Sequence, residues 1–269
     1  MKSTRTIVTA LAGIGLVTSV APGFAADAPA SPHTFTANVG IYSQYIYRGI
    51  TQTARKPAVQ GGFDYAHASG LYAGVWASNI NWFDDYGSKN SSYTSSASIE
   101  MDFYAGYKGS VGDVGYDVGV LQYYYPGTYG TLPAGTVKPD TTEVYGALSY
   151  KWVTGKLSYV VSDGLFGVDN ADGSYYGDLG ANIPLADTWT LNAHVGYQKY
   201  DGSNAGVSNS SLYTYTDWKL GITKDMGNGW SATAFYTDTN AKDAGYKSLA
   251  NKERNLGDSH FVVGISRSF

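Results

Sequence analysis

Along residues 98–108, SIEMDFYAGYK, apolar and polar positions alternate without a break. Ile99, Met101, Phe103, Ala105 and Tyr107 share one side; Glu100, Asp102, Tyr104, Gly106 and Lys108 share the other. A period of two is the signature of a β-strand with chemically different faces. Residues 189–198 repeat it, with Trp189, Leu191, Ala193, Val195 and Tyr197 set against Thr190, Asn192, His194, Gly196 and Gln198. The pattern predicts about twelve strands, near 35–48, 57–66, 71–80, 98–108, 114–125, 141–153, 156–163, 174–183, 188–199, 213–224, 230–239 and 258–269. No long segment keeps a period of 3.6, so the domain is expected to be all-β.

Long and short connections alternate along the chain. Segments 49–56, 81–97, 126–140, 164–173, 200–212 and 240–257 are long and polar, whereas HASG, GSVGD, TG, PLAD and DMGNG have tight-turn chemistry. Such regularity fits an up-and-down barrel in a membrane, with tight turns at one end and long loops at the other. An even number of strands returns both termini to the short-turn side. The faces decide what the barrel encloses. Charged residues sit near strand centres on the polar face, and aromatics flank the apolar face at its two edges: Phe35, Tyr45 and Tyr47, Tyr150 and Trp152, Trp189 and Tyr197. Aromatic belts at both interfaces are a membrane feature, so the apolar face is expected to meet lipid.

The last residues, HFVVGISRSF, alternate up to the final Phe269. Unpaired backbone groups in hydrocarbon cost several kcal/mol each, so this strand must pair on both sides and close the barrel against the first. Phe261, Val263, Ile265 and Phe269 then face lipid, as does Arg267, whose stem can snorkel to the interface. This ending resembles the C-terminal signal of bacterial outer-membrane barrels, which implies recognition by the outer-membrane barrel assembly machinery. Residues 39–79 resemble the opening of the TorF family of porins in Tyr47-Arg48-Gly49-Ile50, Pro57-Ala58-Val59-Gln60-Gly61-Gly62, Asp64-Tyr65 and the run Gly70 to Asn79. That resemblance implies an outer-membrane β-barrel with a channel role, and supplies no substrate.

Composition narrows the setting. Lys2 and Arg5, the apolar stretch Ile7–Val20 and Gly23-Phe24-Ala25 make up a signal peptide over residues 1–25, with cleavage as late as Ala28 also compatible. Residues 26–34 are then a short periplasmic segment and 35–269 the barrel. Losing residues 1–25 removes two bases and no acid, leaving 16 bases against 22 acids, a net charge of −6. That balance excludes a typical nucleic-acid partner. The 34 Gly and 25 Tyr suit strands with one apolar and one polar side, and with no cysteine the fold rests on burial and backbone pairing.

By strand parity the lumen is lined by Arg48, Asp64, Glu100, Asp102, Lys108, Asp117, Glu143, Lys151, Asp178, His194 and Lys219. Gln44, Tyr42, Tyr72, Tyr104, Tyr145 and Tyr176 share that face. Arg48 is the leading single candidate because it lies in the family-like motif and can complement several carboxylates. A structural pairing with neighbouring acids accounts for it equally well. Twelve strands fall between filled eight-stranded barrels and open porins of sixteen or more, so a narrow pore for small hydrophilic solutes and a plugged interior both stand. Acids outnumber bases, which favours cations or neutral solutes.

Two other classes compete. A plugged barrel would serve as a structural or surface-binding protein through loops such as 81–97. An outer-membrane hydrolase would need an Asp258–His260 dyad, or the Asp84-Asp85 pair at another rim, to activate water. No G-x-S-x-G is present, His33, His67, His194 and His260 lack metal-ligand spacing, and 168–173, VDNADG, lacks the first Asp and closing Glu of a calcium loop. No enzyme activity, cofactor or metal is therefore expected.

Overall fold

The computed structural model describes residues 31–82, 95–248 and 254–269. The expected signal peptide, most of loop 81–97 and Asp84-Asp85 lie outside them. Twelve antiparallel strands form a closed barrel. In chain order they are β1 (His33–Tyr42), β2 (Ala58–His67), β3 (Leu71–Asn79), β4 (Ile99–Val111), β5 (Val114–Tyr124) and β6 (Thr141–Tyr150). The second half comprises β7 (Val153–Val160), β8 (Tyr175–Ala186), β9 (Trp189–Lys199), β10 (Tyr215–Gly227), β11 (Trp230–Thr239) and β12 (His260–Ser268). Each strand pairs with its sequence neighbours, and β1 closes the cylinder against β12 in a register that sets Ile41 opposite Ile265 and Asn38 opposite Ser268. Even Phe269 is paired. Its N–H donates to the Ala37 carbonyl at 2.8 Å, and its carbonyl accepts from the Ala37 N–H at 3.3 Å.

Parity sorts the two surfaces. Leu179, Val195 and Leu220 are exposed on three adjacent strands, with Val195 opposite Leu179 on one side and Trp218 on the other. A continuous apolar exterior of this kind meets hydrocarbon, not water. Phe35, Tyr150, Trp152, Trp189 and Phe269 stand on it near the short turns, and Tyr197, Trp218 and Tyr236 near the long loops. Arg267 lies 4.7 Å from the Phe269 ring centroid and 5.4 Å from that of Trp230, so its charge is held among interface aromatics.

Inside, glycine and tyrosine work in pairs. The rings of Tyr104, Tyr72, Tyr145, Tyr176 and Tyr42 lie over Gly74, Gly106, Gly119, Gly196 and Gly264 of neighbouring strands, where an added Cβ would collide with them. Flat tyrosines on bare backbone cover the glycines and leave hydroxyls for the lumen.

The sequence pattern overruns at one strand and misplaces one turn. The first strand stops at Tyr42, not residue 48, and 46–51 folds separately as a small hairpin, Ile46–Tyr47 against Ile50–Thr51. The turn expected at 154–155 lies at Lys151-Trp152, because Tyr150 pairs with Val153. Loops 161–174 and 200–214 are tied together by buried Asn209, whose side-chain amide donates to the carbonyls of Asp169, Asn170 and Asp201 at 2.9–3.1 Å.

Replacing Val195 with Lys puts a charge on the apolar band one outward position from Tyr197, at a cost of about 1–2 kcal/mol, between the interface and midplane values. Reversible denaturation in lipid vesicles should show a loss of that size. An unchanged midpoint would mean that this face is not in contact with lipid.

Candidate functional site

The hairpin 46–51 turns inward. Its tip is Arg48-Gly49, with φ of 46° and 78°. Gly49 tolerates this left-handed backbone; Arg48 adopts it at some cost, which implies that its side chain is held firmly. Gly49 also packs on the wall, where an added Cβ would come within 2.7 Å of the Asp217 Cβ. Arg48 spans the lumen. It donates to Glu143 Oε2 on β6 at 2.7 Å and to Gln198 Oε1 on β9 at 2.8 Å, with its guanidinium 4.3 Å from the Tyr176 ring centroid and 4.9 Å from that of Tyr47. Side-chain exposure is 7% for Arg48 and 0% for Glu143, so this is a desolvated pair, unlike a screened surface bridge.

Tyrosines complete the collar. Tyr47 and Tyr123 share a short hydroxyl hydrogen bond, and Phe166 from loop 161–174 packs edge-on against both rings at 5.7 and 5.0 Å. Tyr45 donates to buried Glu100 at 2.7 Å. Asp102, fully buried beside Glu100 on the same face, has no hydrogen-bond partner for either carboxylate oxygen among the described residues. An ionised carboxylate without a partner is costly to bury, so the interior around Asp102 suits a cation, a proton or water.

Along the lumen wall, acids are bracketed by donors. Tyr104 donates to Asp64 and Tyr72 to Asp117, each at 2.5 Å, and Tyr72 also meets the Tyr145 hydroxyl. His194 sits between Asp178 and Asp217, contacting Asp178 through Nδ1 and Asp217 through Nε2 at 2.5 Å, while Tyr176 donates to Asp217 at 2.9 Å. Lysines lie over rings: Lys156 Nζ is 4.0 Å from the Tyr145 centroid, Lys108 is 5.2 Å from Tyr72, and Lys219 is 5.4 Å from Phe235. The result is a polar, net acidic interior whose charges are mostly held by neighbours.

Three expected placements are corrected. Tyr45 and Tyr47 are not interface aromatics; both lie inside the barrel, on the segment that leaves the wall after Tyr42. Lys151 does not line the lumen. It occupies the exposed turn between β6 and β7 with φ 53°, 5.3 Å from the Tyr150 centroid. The Asp258–His260 dyad is not assembled either: the Asp258 carboxylate lies 3.8 Å from Arg55, and His260 Nε2 lies 3.0 Å from the Leu256 carbonyl. Four interior residues escape the first reading. Asp217 was readable from its parity with Lys219, Lys156 from its parity with Ser158, Gln198 from its parity with His194 and Tyr123 from its parity with Asp117; that Gln198 and Tyr123 meet Arg48 had no signal.

The family model described as "Bacterial protein of unknown function (Gcw_chp)" matches residues 26–269. Among curated proteins, none matches the chain. Solved structures share the fold. The KdgM porin superposes with a TM-score of 0.51 at 9% identity, over 87% of this chain and 99% of that one. The same protein solved in complex with disordered oligogalacturonate gives the same values. The NanC porin superposes with a TM-score of 0.50 at 11% identity, over 87% and 99%.

Glu143→Gln leaves Arg48 buried without its counter-charge, a change worth about 3–5 kcal/mol when a pair is fully desolvated. Hydrogen exchange at the Tyr47 and Ile50 amides of the detergent-folded protein should accelerate by at least ~100-fold, while strand amides stay protected. Unchanged exchange in the hairpin would show that the pair does not hold it in place.

Proposed function

The chain belongs to the Gcw_chp family, whose description leaves its function open, and we propose that it is an outer-membrane channel for small hydrophilic solutes. The observation that carries this reading is the combination of an apolar, aromatic-edged exterior with a polar interior reached from the loop end. A polar interior is one that water or a hydrophilic solute can share with the lining side chains. The porin folds it resembles support the same reading, as does the likeness of residues 39–79 to the TorF family. Export would proceed through the signal peptide at residues 1–25, and the assembly machinery would read Phe261, Val263, Ile265 and Phe269 at the closing strand.

Selectivity follows from the lining. Asp64, Glu100, Asp102, Asp117, Asp178 and Asp217 outnumber Lys108, Lys156 and Lys219, and Arg48 is neutralised by Glu143. A narrow low-dielectric passage with surplus carboxylates attracts cations and repels anions. The inward hairpin also gives a second reading its footing. If Arg48 and its collar never release, the barrel is a stopper with binding loops, a structural or surface-binding protein.

Planar bilayers separate the two. Purified protein should give discrete conductance steps that favour K⁺ over Cl⁻. Asp178→Asn should lower that preference, and Arg48→Ala should enlarge each step by widening the collar. A silent membrane for both the native protein and Arg48→Ala would overturn the channel reading in favour of the stopper.

A further inference from the structure

Above the Arg48 collar, at the long-loop mouth, the lumen opens into a cavity of about 140 Å³. Tyr47, Tyr125, Phe166, Tyr200, Tyr215 and Tyr246 contribute to its walls, and Arg48, Gln52 and Gln198 add polar groups. The volume holds one ring, since cavities near 150 Å³ admit molecules of benzene size. The walls present ring faces at several angles: Tyr215 and Tyr246 meet edge-on at 5.2 Å, as do Tyr47 and Phe166 at 5.7 Å.

Chemistry narrows the occupant. An apolar ring would stack on the tyrosines but leave the remaining amide capacity of Gln52 without water or partner, at about 1–3 kcal/mol for a buried group. A phenol oxygen that donates still accepts. Tyr246 gives its hydrogen to the Tyr213 carbonyl at 2.7 Å and meets the Tyr200 hydroxyl, whereas Gln52 gives one amide hydrogen to the Ile50 carbonyl at 3.2 Å and has a second amide hydrogen and a carbonyl oxygen to offer a hydroxylated ring. An acidic ring is disfavoured because Arg48, at the floor, already has Glu143 at 2.7 Å, with Asp102 and Glu100 nearby on the wall. What remains is a ring with apolar faces, a hydroxylated rim and no charge.

We propose that this cavity is a saccharide subsite, shaped for one neutral pyranose ring stacked on tyrosine and poised above the Arg48 collar. It rests on the channel reading and specifies its solute class. A ring of that size binds with a half-saturation on the order of millimolar.

The test uses the full detergent-folded barrel, with glucose, glucuronate and phenol as probes and calorimetric titration as the readout. Glucose should bind saturably, and glucuronate and phenol each at least ~5-fold more weakly. Tyr246→Ala should weaken glucose by ~10-fold or more. Tyr246→Phe, which keeps the stacking face, should lose less. Tighter binding of glucuronate or phenol, no saturable glucose binding, or indifference to Tyr246→Ala would overturn the proposal. Ion current without glucose binding defeats this inference alone; glucose binding in a protein that never conducts defeats the channel reading instead.

Discussion

Every backbone N–H and C=O in hydrocarbon must find a partner within the protein, and this requirement shapes the molecule from its ends inward. It explains why β1 lies against β12, and why Phe269 exchanges hydrogen bonds with Ala37 where a frayed tail would otherwise be normal. Closure fixes the register, and register fixes parity, so each strand has one face for lipid and one for the lumen. Sealing the exterior thus decides which residues form the interior.

A cylinder of this strand number encloses limited space, and the chain fills it economically. Tyrosine rings lie on the backbone of inward glycines and reach acids with their hydroxyls, as Tyr104 does with Asp64 and Tyr72 with Asp117. A phenol stabilises a carboxylate without bringing a charge, so the wall remains net acidic yet ordered. Where a full positive charge is used, at Arg48, it enters from a loop and spans β6 and β9. Wall and collar are therefore held by different means: phenol–carboxylate contacts along the strands, and a buried charge pair carried by a loop.

The barrel was legible because its signal is periodic. Strands such as β4 and β9 appear wherever alternation runs for ten residues, and the same parity that set Asp64, Glu100, Asp102, Asp117, Glu143 and Asp178 on one face would have added Asp217. The errors arose where parity continued after the strand had ended. Ile41, Ser43, Tyr45 and Tyr47 keep the spacing of a lipid face, yet the chain leaves the wall after Tyr42, and only Arg48-Gly49 hints at a turn. Lys151 keeps the spacing of Glu143, Tyr145 and Ala147 but falls in a hairpin set by Tyr150 pairing with Val153. Parity puts Gln198 and Tyr123 on the inner face, but their contacts with Arg48 could not be read, since they depend on which strands face each other across the cylinder.

Arg48 shows why that distinction bears on function. A non-glycine residue in the left-handed region costs on the order of 1 kcal/mol, and burying its charge costs several more. Glu143, Gln198 and the rings of Tyr47 and Tyr176 offset both terms only while the hairpin is docked. Anything that competes for Glu143 or inserts beside Tyr47 removes part of that compensation and leaves the strain of the turn. The hairpin is then closer to release than its burial alone suggests. On the channel reading, the hairpin lies at the floor of the loop-side cavity, beside Gln198 of β9 and Tyr215 of β10.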